Sequence, residues 1–401
     1  MKSGTDSNAV SGWAFFPVGM AAAIIAVVIV CIVGNIAGCD PAQDQDDTVL
    51  LVRDYPIFEQ RTAHSEPLSM AQATQQAWEW VMTGTNSGEY HYYGYARGIL
   101  DPWWDQNNVS SELRILRAVI LQQQHFFDQA LADLNQVIDS DPQNVQARFT
   151  RSAILFATGK LDAALLDCQR VFLKADPISV TLCVAPIKGL QGHAPVMIDK
   201  LNTLLAVSEL ASLQQREVHI TLAELYWLQG NMAGAEKQFK QALNITPQHG
   251  YVVSQYSEFL LSLKRYNTLA NFLQQQPPSI ENQINLYYAQ KEQSKPELSE
   301  LKNTITENIT TLTNTGDQKP ALDNSRLLSL YHSRVENDSR AALLYARKNW
   351  DRQKGMIDTL LLMNAATKER DIRTIDKVSQ WLEENLIQDQ RLANYGAIDS
   401  E

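Results

Sequence analysis

Residues 216–247 carry a pattern that restricts the fold of this chain more than any other stretch. Gly230 interrupts two series of apolar and small residues at helical spacing, and Pro247 ends the second series. The residues of the two series are Leu222, Ala223, Tyr226, Ala235, Phe239 and Ala242. A glycine between two helical periods predicts a hairpin of two helices. A single hairpin leaves its apolar face uncovered, so we expect further hairpins to stack against it.

The same pattern recurs on both sides of this unit. Its other copies, the last of them shortened, are residues 111–144, 145–177, 178–211 and 250–278. For residues 279–388 we expect degenerate helical pairs of the same kind. In the third copy Pro195 suits the first turn of a helix, whereas Pro186 predicts a kink or an end. The sequence therefore predicts an all-α solenoid of helical hairpins without significant strands.

The order and spacing of these residues resemble the tetratricopeptide repeat (TPR), a helical hairpin of 34 residues. The resemblance implies a right-handed superhelix that binds another protein and has no chemistry of its own. Upstream, Gly94-Tyr95-Ala96 and Pro102-Trp103-Trp104 resemble a segment of proteobacterial TPR proteins that are membrane-anchored or lipoproteins. We expect residues 67–110 to form an aromatic-rich helical cap on the solenoid, with an aromatic ligand platform as the alternative.

Residues 13–38 form an apolar run near the N-terminus, and no charged residue lies between Asp6 and Asp40. At about 1.5 Å per residue, a helix of this length crosses a hydrocarbon core of about 30 Å. Lys2 precedes the run and four aspartates follow it. This charge bias predicts a cytoplasmic tail at residues 1–12 and a solenoid on the periplasmic side of a bacterial cell membrane. A buried core helix is the alternative.

Ile36-Ala37-Gly38-Cys39 resembles a bacterial lipobox, which implies cleavage before Cys39 and lipid attachment to its thiol. A retained transmembrane anchor and a cleaved lipoprotein signal both remain open at this point. Residues 40–66 are acidic and interrupted by prolines, so we expect a flexible linker. Residues 389–401 lack helical periodicity and are predicted to be a tail.

Composition and motifs argue against catalysis and nucleic-acid binding. The net charge is −11 and no basic run occurs, whereas phosphate binding needs clustered Lys and Arg. We find no motif of a metal site, a phosphate loop or a nucleophile, and predict no catalytic residues, metal or cofactor. His125 and His249 fall at turns and are predicted to be solvated. Cys168 is predicted to lie in the core, and pairing with Cys183 stays open.

The first helix of each TPR hairpin lines the concave groove, which predicts the binding residues. They are Ile115, Val119, Phe149, Phe156, Ile220, Glu224 and Trp227. This set lacks the Lys, Asn and Arg of chaperone-binding TPR domains. We therefore expect a partner that is a helix or an extended segment with hydrophobic anchors. Alternatively, these residues pack within the chain, or the linker or residues 67–104 fold over them.

These expectations favour a membrane-tethered scaffold that binds a protein or peptide and is not an enzyme. An accessory subunit of an envelope transport or metal-handling complex is the second hypothesis. A divergent enzyme with a site in the groove is the third.

Overall fold

A computed structural model describes five ranges of the chain: residues 68–87, 91–207, 209–296, 298–313 and 324–395. The predicted cytoplasmic tail, the apolar run, Cys39 and the acidic linker lie outside these residues. Within the five ranges the secondary structure is helical and contains no strand, which confirms the predicted fold class.

Helices pack in consecutive pairs along the described chain. In the N-terminal half they are α1 (Met70–Ser87), α2 (His91–Ile99), α3 (Asp101–Trp104), α4 (Ser111–Gln123), α5 (Phe127–Ser140), α6 (Val145–Ala157), α7 (Leu161–Arg170), α8 (Pro177–Lys188) and α9 (Ala194–Val207). In the C-terminal half they are α10 (Ser212–Leu228), α11 (Met232–Ile245), α12 (Gly250–Ser262), α13 (Tyr266–Leu273), α14 (Ile280–Glu292), α15 (Ser299–Thr313), α16 (Ser325–Tyr331), α17 (Ser339–Arg352), α18 (Met356–Lys368) and α19 (Ile372–Glu384).

Glycines with positive φ form the turns of three hairpins. Gly159 lies between α6 and α7 with φ +79°, and Gly230 lies between α10 and α11 with φ +73°. Gly192 has φ +88° and belongs to a π-helical turn, Gly189–His193, that joins α8 to α9. A residue with a Cβ is strained in this left-handed region, so the turns favour glycine.

The sequence predicted a kink or a helix end at Pro186. The residue lies inside α8, so the helix does not end there. The helix continues to Lys188 and then passes into the π-helical turn. Pro195 lies in the first turn of α9, where its missing N–H removes no helical hydrogen bond.

Two consecutive hairpins share an ion-pair arrangement at a 34-residue interval. In α4 and α5, Arg114 and Arg117 bind Asp133 at 3.1 and 2.6 Å. The equivalent residues of α6 and α7 are Arg148, Arg151 and Asp167, with N–O distances of 2.6 and 2.7 Å. Each carboxylate is buried and joins the second helix of a hairpin to the first. The repeat period therefore appears in the polar interior as well as in the apolar residues.

The C-terminal third of the described chain packs back on the middle hairpins. One hydrophobic cluster contains Phe149 and Cys168 together with Trp350, Val378 and Leu392. The backbone N–H of Lys354 donates to the carbonyl of Ala157 over 2.7 Å. The array therefore closes on itself between α6 and α19.

The predicted cap contains partly buried aromatic rings. Trp80 and Tyr92 stack with centroids 5.5 Å apart, and the Arg97 guanidinium lies 3.9 Å from the Trp104 centroid. Tyr93 is buried, with its hydroxyl 2.7 Å from that of Thr85. These contacts join α1, α2 and α3 into one packed unit.

Candidate protein-interaction surface

All seven residues predicted to line the groove are buried. Their exposed fractions lie between 1% and 7%: Ile115, Val119, Phe149, Phe156, Ile220, Glu224 and Trp227. They form part of the three apolar clusters of the molecule, apart from Glu224, which accepts a hydrogen bond from the Tyr251 hydroxyl. Their role in protein binding stays a prediction, but in this conformation the chain itself covers them. Their observed position agrees with the alternative in which they pack within the chain.

The N-terminal cap covers part of this face. Arg216, at the start of α10, donates from Nη1 to the carbonyl of Asn86 in α1 over 3.3 Å. His249 is also buried there and hydrogen-bonds the backbone of Thr85. Residues of the cap thus reach the repeat at residues 216–247. This agrees with the alternative in which residues 67–104 fold over the groove.

Residues 386–392 cover the other part, and we call them the C-terminal strap. The backbone N–H of Gln388 donates to the carbonyl of Leu190 over 2.7 Å. Ile387 and Leu392 pack in the largest apolar cluster. The sequence predicted only an aperiodic tail from residue 389, and its missing periodicity gave no sign of this docking.

The strap places an arginine on the central aromatic residue of the fourth repeat. The Arg391 guanidinium lies 4.5 Å from the centroid of the Trp227 ring. Asp389 accepts from Nε of Arg391 over 2.8 Å, and the Asp389 side chain is 0% exposed. A guanidinium held between a buried carboxylate and an indole face is a specific, desolvated contact.

The turn glycines give the C-terminal residues their close approach. A Cβ built on Gly159 lies 2.8 Å from the Lys354 side chain, and one on Gly192 lies 2.7 Å from that of Gln388. Gln390 lies against Gly230 in the same way. Each of these three successive turns therefore needs glycine for two reasons. Its backbone has a positive φ, and a side chain from the C-terminal part of the chain packs against it.

A cleft of about 310 Å³ lies beside the strap. Its walls are the π-helical turn, the end of α10 and the strap itself: Gly189, Gly192, Ala194, Leu228, Gln229, Gln388, Asp389 and Gln390. The cleft gives solvent access to the edge of the interface between the strap and the repeats.

Ionisable groups under the cap are shifted mainly by burial. Burial, with help from the Arg216 charge, lowers the pKa of His249 to about 3. Burial raises the pKa of Glu217 although Arg216 lies beside it at 2.9 Å. Burial and the Glu224 carboxylate together raise the pKa of Tyr251. The predicted solvated imidazole at His249 is therefore wrong, because α1 covers this turn.

Cys168 and Cys183 form a disulfide between α7 and α8, with Cα atoms 5.9 Å apart. Both residues are buried in the core. In the described ranges, His, Cys, Asp and Glu side chains form no group of three that could hold a metal ion. None of the described helices combines the length and the apolar character needed to span a membrane.

Stacked helical pairs with glycine turns define a helical-hairpin repeat protein. Sequence models of the tetratricopeptide repeat match residues 115–177 and residues 217–249. The chain therefore contains tetratricopeptide repeats, as its sequence predicted. Repeats of this type suggest an interaction scaffold with protein partners.

Solved structures of similar proteins include a tetratricopeptide repeat protein from Parabacteroides merdae. It is 13% identical, with a TM-score of 0.32, and the match covers 74% of this chain and 98% of that chain. The human IFIT1 dimer with PPP-AAAA is 14% identical, with a TM-score of 0.42 and coverage of 85% and 91%. No curated protein sequence matches this chain.

Proposed function

We propose that this protein is a membrane-tethered, non-catalytic scaffold whose repeats bind another protein on the periplasmic side of a bacterial membrane. The matched repeats support protein binding. The uncharged run at residues 13–38, with aspartates on its C-terminal side, supports the tether and the orientation.

The partner segment binds where the C-terminal strap now lies. This site follows from one observation, the contact of Arg391 with Trp227, a residue of the predicted groove. The strap behaves as an internal ligand: it uses a backbone hydrogen bond to Leu190, a cation over an indole ring and an apolar side chain. Extended segments bind other protein surfaces through main-chain hydrogen bonds and through pockets for their side chains.

The chemistry of the strap indicates the chemistry of the partner. A segment that replaces it presents an arginine or lysine to the Trp227 ring and an apolar side chain in place of Leu392. The apparent affinity of the partner is reduced because the partner binds only those molecules in which the strap has left the site. Variants that loosen the strap should therefore bind the partner more tightly.

Crosslinking in native membranes, followed by affinity capture and quantitative mass spectrometry, tests this site. We compare the wild type with Arg391→Ala and with the control Arg340→Ala, whose side chain is 92% exposed. The proposal predicts one protein that is enriched several-fold by Arg391→Ala over both other chains. Equal capture by all three chains would contradict binding at the strap.

The tether is tested separately by the mass of the membrane-extracted protein, with and without Cys39→Ala. A full-length mass indicates a retained anchor. Loss of residues 1–38 with added lipid mass, abolished by Cys39→Ala, indicates a lipoprotein. Recovery of the wild-type chain only in the soluble fraction would refute both forms of the tether.

A further inference from the structure

Residues 170–174, which we call the Phe172 turn, expose two consecutive large apolar side chains. Phe172 is 64% exposed and Leu173 is 93% exposed, the largest exposure of any large apolar residue described. They follow α7, the second helix of the second hairpin. Core burial therefore does not account for their apolar character.

The 34-residue register shows how this turn differs from a regular repeat. Ile138, the equivalent of Phe172 in the preceding hairpin, is 6% exposed. There α5 continues to Ser140, whereas α7 already ends at Arg170 and one residue is inserted before Pro177. The early end of α7 turns the apolar side chain from the core towards solvent.

The base of the turn is fixed although its tip is exposed. Val171 is fully buried, and the disulfide of Cys168 with Cys183 joins the residues just before the turn to α8. The Asp176 carboxylate then caps α8 by accepting from the N–H of Ser179 over 2.9 Å. Phe172 and Leu173 are thus displayed on a rigid support.

The charges around the tip are basic in a chain that is acidic overall. Arg170 and Lys174 flank the two apolar residues and are both exposed. Val207, at the end of α9 in the next hairpin, is another exposed apolar side chain, with an exposed fraction of 74%. Large apolar side chains flanked by Lys or Arg are typical of protein surfaces that bind the interface of an anionic membrane.

We propose that the Phe172 turn inserts Phe172 and Leu173 into the interface of an anionic lipid bilayer, with Arg170 and Lys174 bound to lipid phosphates. A stable protein interface buries about 800 Å² on each partner, which two side chains at a turn do not provide. Lipid insertion needs only a few apolar side chains with nearby cations. A tether at residues 13–38 would raise the local concentration of lipid, but the turn binds lipid without it.

Photocrosslinking of the full chain to lipid tests the proposal. p-Benzoylphenylalanine replaces Phe172 in one protein and Val196 in a control, since Val196 is 52% exposed but has no Lys or Arg within three residues. Both proteins are irradiated with vesicles of phosphatidylcholine and phosphatidylglycerol. We expect lipid adducts at position 172 at least about fivefold above those at position 196, and fewer in vesicles without phosphatidylglycerol.

The variant Arg170→Glu/Lys174→Glu should abolish the excess of lipid adducts at position 172 while the thermal unfolding midpoint stays the same. Equal yields of lipid adduct at the two positions would overturn the proposal. A yield at position 172 that the charge reversal leaves unchanged would also overturn it. Adducts to a protein instead of lipid in native membranes would also overturn it. Flotation of the control protein with the vesicles tests the membrane tether without the Phe172 turn. A failure of the tether can therefore be distinguished from a failure of lipid insertion by the turn.

Discussion

The guanidinium of Arg391 lies 4.5 Å from the centroid of the Trp227 ring, so the C-terminus of the described chain covers a residue of the predicted groove. Asp389 holds the same guanidinium with an N–O distance of 2.8 Å. The repeats thus enclose a segment of their own chain at Trp227, where we propose that the partner binds. Access to this surface depends on how firmly the strap is held.

Arg391→Ala should release the strap. The substitution removes the cation from the Trp227 ring, a contact of about 2 kcal/mol when desolvated, and leaves the Asp389 carboxylate buried without its partner. Hydrogen exchange of the Gln388 amide should therefore accelerate by roughly tenfold or more. Arg340→Ala serves as the control and should leave that amide unchanged. Unaltered exchange at Gln388 in Arg391→Ala would show that other contacts hold the strap.

Gly192→Ala should destabilise the protein by about 1–2 kcal/mol, because alanine is strained at φ +88° and its Cβ meets Gln388. Gly98→Ala is the matched control, since Gly98 lies in α2 and a Cβ there meets nothing within 4 Å. It should be neutral or stabilise by up to about 1 kcal/mol. Urea unfolding measures both changes, and equal values would refute the role assigned to the turn.

Asp167→Ala should cost about 3 kcal/mol or more, because it leaves Arg148 and Arg151 partly buried without their carboxylate. Asp351→Ala tests an exposed pair for comparison, since Asp351 and Lys377 are each 61% exposed, and should change stability by less than about 1 kcal/mol. The free energy of unfolding in urea distinguishes the two. A small loss for Asp167→Ala would mean that water replaces the carboxylate.

Reduction of the Cys168–Cys183 disulfide should lower stability by about 3 kcal/mol, the loop-closure value for a separation of 15 residues. Alkylation under denaturing conditions, read by intact mass, should label these two cysteines only after reduction. The double variant Cys168→Ala/Cys183→Ala should unfold at the midpoint of the reduced protein. Labelling of both thiols in the untreated protein would exclude the bond.

His249 should make the protein less stable in acid. Its pKa is about 3 in the folded chain and about 6.5 when unfolded, so the unfolded state binds the extra proton as pH falls. The wild type should lose about 2 kcal/mol between pH 7 and pH 5 through this group. His249→Asn should lack this part of the loss, whereas the exposed control His193→Asn should keep it. Parallel pH profiles for all three proteins would contradict the burial of a neutral imidazole.

The helices were predictable because their signals are local. The glycine and proline positions around 216–247 and the 34-residue period predicted the hairpins that the structure contains. The paired arginines Arg114 and Arg117 recur as Arg148 and Arg151, so the same period contained the ion pairs as well. The period of the apolar residues alone does not reveal these ion pairs.

The closure of the groove was not predictable in the same way. It depends on contacts between residues far apart in sequence, such as Gln388 with Leu190 and Arg216 with Asn86. Periodicity describes one face of one helix and carries no information about which segment covers it. The buried state of Phe149 and Trp227 follows from that tertiary packing.

Photocrosslinking from the edge of the strap site tests the central claim most directly. Gln229 lines the cleft beside the strap, so p-benzoylphenylalanine at this position reaches a segment bound over Trp227. The probe is placed in the Arg391→Ala and Arg340→Ala chains and irradiated in intact cells. The account predicts an adduct with one protein that is several-fold stronger in Arg391→Ala. An adduct of equal strength in both chains, or none in either, would contradict it.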